Sequence, residues 1–276
     1  MKYIQFFESI SKKNVSRFGG KVASLGEMFK AGLPVPNGFG ISVEAHKEFI
    51  DKPFSQEFKN ELRNAYKKLG VERVAVRSSA VAEDASDASW AGQLESYLNI
   101  TADKLEVSVR KCWKSIKSKH ALDYAKDKNL SRDDLLVGVA VQAMVEPESA
   151  GVMFTVNPVT GNQKEIMIES AYGLGEMVVQ GTVTPDNFLV ARPKLAVTHF
   201  GISIKEQMMV YSGGQNRVIP VPDHIADRSS LREDQVLELA NIGLKIEKHY
   251  GAPQDIEWAR NNGKFYIVQS RPITTL

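Results

Sequence analysis

A chain of 276 residues exceeds the usual size of a single hydrophobic core, so one two-lobed domain or two small ones is expected. Its 43% hydrophobic and 25% charged residues are an ordinary globular composition, which excludes a disordered chain, and no stretch reaches the length of a membrane span. The 35 Lys and Arg residues nearly balance 33 Asp and Glu, for a net charge of +2, so any anion site must be local.

The N-terminus, Met1 to Glu8, lacks the apolar core of a secretory signal. The single cysteine, Cys112, cannot form an internal disulfide and fits a small buried position on a helix; both features suit a reducing cytoplasm. In chain order, Val22, Leu25, Met28 and Phe29 recur at helical spacing and are closed by Gly32 and Pro34. Phe58, Leu62, Ala65, Tyr66 and Leu69 predict a second helix ended by Gly70, and longer helices are expected from about Asp103 to Lys126 and Glu233 to Tyr250. Short apolar runs predict strands at Val74–Val76, Leu135–Val145, Gly151–Val156, Glu165–Glu169 and Asn187–Ala191, and Gly213 to Arg228 reads as a polar surface excursion. Helices crowd the first half and strands the second, an α+β pattern. A hinge is expected near Gln142 to Glu146, and with no Ser/Gly-rich linker the halves read as lobes of one domain, about 1–140 and 141–276.

Four segments carry candidate chemistry. Gly19-Gly20-Lys21 opens the first helix, where backbone amides and a lysine favour phosphate; a glycine turn with a solvated lysine is the plainer reading. The run Val76-Arg77-Ser78-Ser79, continuing through small residues to Trp90-Ala91-Gly92-Gln93, delivers an arginine into a loop that can approach a polyphosphate closely. The Ser170-Ala171-Tyr172-Gly173-Leu174-Gly175-Glu176 segment, followed by Gly181, Pro185 and Asp186, is as readily a turn as a ligand loop. Near the C-terminus, Asn262-Gly263 predicts a two-residue hairpin turn. Alternation then aims Asp255 and Glu257 at one face of one strand, and Gln269 and Arg271 at one face of the other. Oxygen donors beside a guanidinium suit a divalent cation and the phosphates it bridges, although a solvated hairpin would carry the same residues. The five histidines have no metal-ligand spacing, no Gly-x-Ser-x-Gly elbow occurs, and basic residues lack the interleaved aromatics of a nucleic-acid groove.

Taken together and in order, Gly19 to Phe39, Val76-Arg77-Ser78-Ser79, Gly151 to Pro158, Gly173-Leu174-Gly175-Glu176, Asp255-Ile256-Glu257-Trp258 and Gln269 to Thr274 resemble the N-terminal ATP-grasp domain of the dikinases. That family includes phosphoenolpyruvate synthase, pyruvate phosphate dikinase and rifampin phosphotransferase. The resemblance covers essentially the whole chain, and the compact length and the run from Pro253 to Leu276 look most like the rifampin phosphotransferase branch.

The resemblance implies an ATP-grasp fold with ATP between two lobes. Lys21 and Arg77 would contact the phosphates, Gly92 and Ser96 would lie in a covering loop, and Gln142 near the adenine. Glu257 and Gln269 would hold Mg²⁺, Asp255 would support them, and Arg271 would contact the phosphates, with Lys21, Arg77 and Arg271 the catalytic cations. It further implies cleavage of ATP to AMP, transfer of the β-phosphate to a histidine on a separate swivelling domain, and a rifamycin antibiotic as the final acceptor on a substrate-binding domain; the alternatives are pyruvate as acceptor, as in a phosphoenolpyruvate synthase, or a non-catalytic module that binds ATP or a partner. Val81, Trp90, Ser96 and Val156 depart from the residues usual in the family, and none of the five histidines sits in the phosphohistidine context.

Overall fold

The computed structural model describes residues 1–81, 84–85, 88–89, 95–119, 123 and 135–274. The chain forms two compact units, Met1–Met144 and Val145–Leu276.

The first unit runs β1 (Ile4–Phe6), α1 (Val15–Phe18), α2 (Gly20–Lys30), β2 (Gly38–Ile41), α3 (Val43–Phe49), α4 (Gln56–Leu69), β3 (Val74–Ala80), β4 (Asp84–Ala85), β5 (Ala88–Ser89), β6 (Ser96–Ile100), α5 (Leu105–Ser115) and β7 (Val137–Ala143). Strands β1-β2-β7-β3-β6 form an antiparallel sheet in that order, and β4 pairs with β5. The alternation in β2, β3 and β7 sends Phe39, Ile41, Val74, Val76, Val139 and Val141 to one face, where they pack with Phe58, Leu62 and Ala65 of α4 and Val109, Cys112 and Trp113 of α5. Helix α4 starts at Ser55, whose side chain accepts from Phe58 N, and stops at the left-handed Gly70.

The opposite face carries small residues at Gly38, Gly40, Gly138 and Ala140 beside Arg77 and Gln142. A side chain at Gly40 would overlap Val22 of α2, and one at Gly138 would lie 2.1 Å from the Phe18 carbonyl oxygen of α1, so these glycines let α1 and α2 approach the sheet backbone. This explains why β2, with the sequence Gly-Phe-Gly-Ile, escapes a periodicity search. The expected helix from Asp103 to Lys126 begins at Leu105 and closes at Ser115; of residues 120–134 only 123 is in the described set.

The second unit runs β8 (Ser149–Phe154), β9 (Glu165–Tyr172), α6 (Glu176–Val179), β10 (Asp186–Ala191), β11 (Ala196–Gly201), β12 (Gln207–Ser212), β13 (Gln215–Pro220), α7 (Asp223–Ala226), α8 (Glu233–Tyr250), β14 (Gln254–Asn261) and β15 (Lys264–Pro272). Its six-stranded antiparallel sheet has the order β11-β10-β9-β8-β14-β15. Helix α8 packs on one face, with Gly243 fitted against Met153. The Gly213–Arg228 segment, expected as an excursion, is instead the turn and return strand of the β12–β13 ribbon followed by α7. Much of the ribbon and of β11 is exposed, so neither carries the inward apolar alternation that marks a half-buried strand.

Beside the sheet lies a buried ion pair: Lys205 Nζ donates to Asp186 Oδ1 at 2.6 Å, and both side chains are fully buried. Ser203 N and Ser230 N and Oγ also donate to the Asp186 carboxylate. This network fastens the segments around 203 and 230 to the start of β10.

Candidate functional site

In the first unit, Gly19 precedes α2 with φ of 81° and ψ of 166°, and a side chain there would lie 2.0 Å from the Ser79 carbonyl oxygen. The glycine turn therefore packs directly on the end of β3. Ser79 Oγ accepts from Val22 N at 3.0 Å, so one first-turn amide is already engaged. Lys21 is not a solvated lysine: it is buried, and its Nζ donates to the Ser78 carbonyl at 2.9 Å. Arg77 is buried on β3, opposite Ser96 of β6 and Ala140 of β7. Gln142 lies opposite Ala75 and Gly38, which places it on the same face as Arg77 and Ser96. It is 1% exposed. Of the expected covering loop, Gly92 and the other residues from 90 to 94 lie outside the described residues, whereas Ser96 is not in a loop but opens strand β6.

In the second unit the hairpin forms as the Asn262-Gly263 pair requires, with φ of 48° and 75° at the two turn residues. Asp255 lies opposite Arg271, and Glu257 opposite Gln269, so all four share one sheet face. That arrangement depends on a feature the alternation did not supply. Counted strictly by twos, Gln269 and Arg271 would follow Phe265 and Ile267 into the buried face. A β-bulge intervenes: Trp258 pairs with Ile267 while Glu257 pairs with Gln269, so Val268 is an extra residue that reverses the parity. Burial follows, with Phe265, Ile267 and then Ser270 inward.

Arg271 Nε and Nη2 both donate to Asp255 Oδ2, at 2.9 and 2.7 Å. Burial pushes the Asp255 carboxyl above its usual range, against the opposing pull of Arg271. Asp255 thus holds the guanidinium on the face where Glu257 and Gln269 stand. A carboxylate and an amide oxygen directly opposite each other, with no third acidic or imidazole ligand grouped with them among the described residues, fit Mg²⁺, which keeps several waters and shares its shell with phosphate.

The third segment packs closely at its first glycine. Gly173 has φ of 76°, and a side chain there would lie 2.3 Å from the Met209 carbonyl, which accepts from Leu174 N at 2.8 Å. Asp186 belongs to the buried network described above. Cys112 is buried, its thiol pushed up to about 12 by desolvation, as an inert packing residue requires.

A family model described as the pyruvate phosphate dikinase AMP/ATP-binding domain matches residues 46–276, so Lys21 lies ahead of the matched segment. Over its whole length the chain is 39% identical to a probable phosphoenolpyruvate synthase of Methanocaldococcus jannaschii, of which it covers 27%. It is 36% identical to the phosphoenolpyruvate synthase of Pyrococcus furiosus, of which it covers 44%. A probable phosphoenolpyruvate synthase of Archaeoglobus fulgidus is 37% identical over 99% of this chain, which covers 42% of it. The chain thus spans less than half the length of these relatives. Their alignments run to 315 positions or more, so each carries residues within the matched region that have no counterpart here. Among solved structures, D-alanyl-alanine synthetase A from Vibrio cholerae aligns with a TM-score of 0.40 at 11% identity, over 91% of this chain and 54% of that one. D-alanine–D-alanine ligase from Bacillus anthracis with ATP gives a TM-score of 0.35 at 8% identity over the same shares. By its sequence matches, the chain belongs to the pyruvate phosphate dikinase AMP/ATP-binding domain family.

Proposed function

We propose that this chain is the Mg-ATP-binding, ATP-grasp module of a dikinase-type phosphotransferase of the phosphoenolpyruvate synthase kind. The observation that carries the reading is the joint placement of Asp255, Glu257, Gln269 and Arg271 on one face of the second sheet. Glu257 and Gln269 would hold Mg²⁺, and Arg271, oriented by Asp255, would contact the phosphates. Lys21 and Arg77 would be further phosphate contacts from the first unit, and Ser96 and Gln142 further nucleotide contacts. The cation, when bound, neutralises charge on the transferring phosphates. The protein's own contribution is to orient the chain of phosphates and to present fixed positive charge to it.

In the reaction proposed, a histidine on another domain attacks the β-phosphorus and AMP leaves. Water then releases the γ-phosphate as inorganic phosphate, and the remaining phosphoryl group passes to the acceptor. The rifamycin acceptor suggested by the closing run of the sequence finds no support among the relatives reported above, whose names favour pyruvate. Feeding the complete polypeptide ATP labelled at the β or the γ position tests the reading. The β label should appear on a histidine and the γ label as inorganic phosphate, with AMP as product. ADP, with no labelled histidine, would instead mark an acyl-phosphate-forming ligase.

A further inference from the structure

Across the second sheet, register places Gln269, Glu257, Val152, Glu169 and Asn187 in one row, each directly opposite the next. Glu169 therefore stands on the same face as the candidate cation ligands, two strands from Glu257, about 10 Å between Cα atoms. Only Val152 lies between them. Glu169 is half-buried, and burial alone pushes its carboxyl above the usual range. Its backbone pairs with β8 and β10, but among the described residues its carboxyl makes no hydrogen bond or ion pair. Partial burial of an ionisable carboxyl without a counter-charge is unfavourable, so a cationic or hydrogen-bond-donating partner would stabilise this position.

The face as a whole points the same way. In this row and the next it carries the carboxyls of Asp255, Glu257 and Glu169 together with the guanidinium of Arg271, which is bonded to Asp255. Glu165, further along β9, accepts instead from Asn157 Nδ2 at 2.7 Å. Carboxylates grouped on one face are the oxygen donors that a divalent cation and its waters take.

We propose that Glu169 is an outer ligand of the cation held by Glu257 and Gln269, its carboxylate accepting hydrogen bonds from water that the metal retains. The inference rests on the reading of Glu257 and Gln269 given above. Mg²⁺ dehydrates reluctantly, and carboxylates that receive its water protons orient the hydrated ion without touching it.

Calorimetric titration of ATP at stepped Mg²⁺ concentrations, and in EDTA, tests this with the wild-type chain, Glu169→Gln, Glu169→Asp and Glu257→Ala. Glu169→Gln should raise the Mg²⁺ concentration needed for half-maximal tightening about 10-fold. It should leave metal-free ATP binding unchanged or tighter, because a negative charge has been removed. Glu169→Asp, which keeps the charge, should fall between. An unchanged Mg²⁺ requirement in Glu169→Gln, with metal dependence lost in Glu257→Ala, would overturn the role of Glu169 alone. Equal weakening of metal-bound and metal-free ATP would overturn it too, as the mark of a packing residue. Metal dependence that survives in Glu257→Ala would overturn the cation site itself and this inference with it.

Discussion

Several side chains that matter most here are partly or wholly withdrawn from solvent, and their chemistry follows from that. Lys21 and Arg77 are buried in the first unit, and Asp255 is largely covered in the second. His46 shows the same principle away from the site. Its Nδ1 accepts from Val137 N at 3.2 Å, so it is held as the neutral imidazole, and desolvation with Lys117 nearby lowers its pKa to about 4. Asp51 opposes that shift only weakly. Between pH 6.5 and about 4 the unfolded chain takes up a proton that the folded chain refuses, so stability is lost as pH falls through that window, by about 3 kcal/mol in all. Urea midpoints at pH 7 and pH 4.5 should show this fall in the wild type and a smaller one in His46→Gln; equal falls would contradict the assignment. The site residues themselves were legible as residue types in ordered motifs. Their engagement with neighbours was not: the contacts of Lys21 with Ser78, and of Val22 with Ser79, span 57 positions.

Among the elements, the closing hairpin was legible because Asn262-Gly263 is a local signal with a local cause. The bulge at Val268 was not, since the sequence shows Phe265, Ile267, Gln269 and Arg271 at one parity and only pairing with β14 separates them. Glu169 was hidden likewise: its alternation with Ile166 and Ile168 can be read from the sequence, but its row with Glu257 runs through β8. The strands β2 and β11 to β13 escaped because glycine or exposure removes the apolar signal. The Lys205–Asp186 pair is another product of tertiary structure, joining residues 19 apart under full burial. Replacing one partner strands the other charge, so Lys205→Met should cost about 3–5 kcal/mol in urea unfolding. A loss below about 1 kcal/mol would show that the network relaxes or admits water.

At the scale of the whole molecule, the α+β character was carried by the order of helix-like and strand-like segments, and the family by six motifs in sequence. No helix among the described residues is long and apolar enough to cross a membrane. Because the relatives are more than twice the length of this chain, the acceptor and the phosphohistidine belong to the proposal. The nucleotide site can be tested on the chain as it stands. The central claim is that the face carrying Asp255, Glu257, Gln269 and Arg271 binds Mg-ATP, and calorimetry of Mg-ATP with the wild type, Glu257→Ala and Arg271→Ala measures it most directly. Loss of a charge-assisted contact to phosphate or metal should weaken affinity at least about 10-fold in each variant. Unchanged affinity in both would contradict the account.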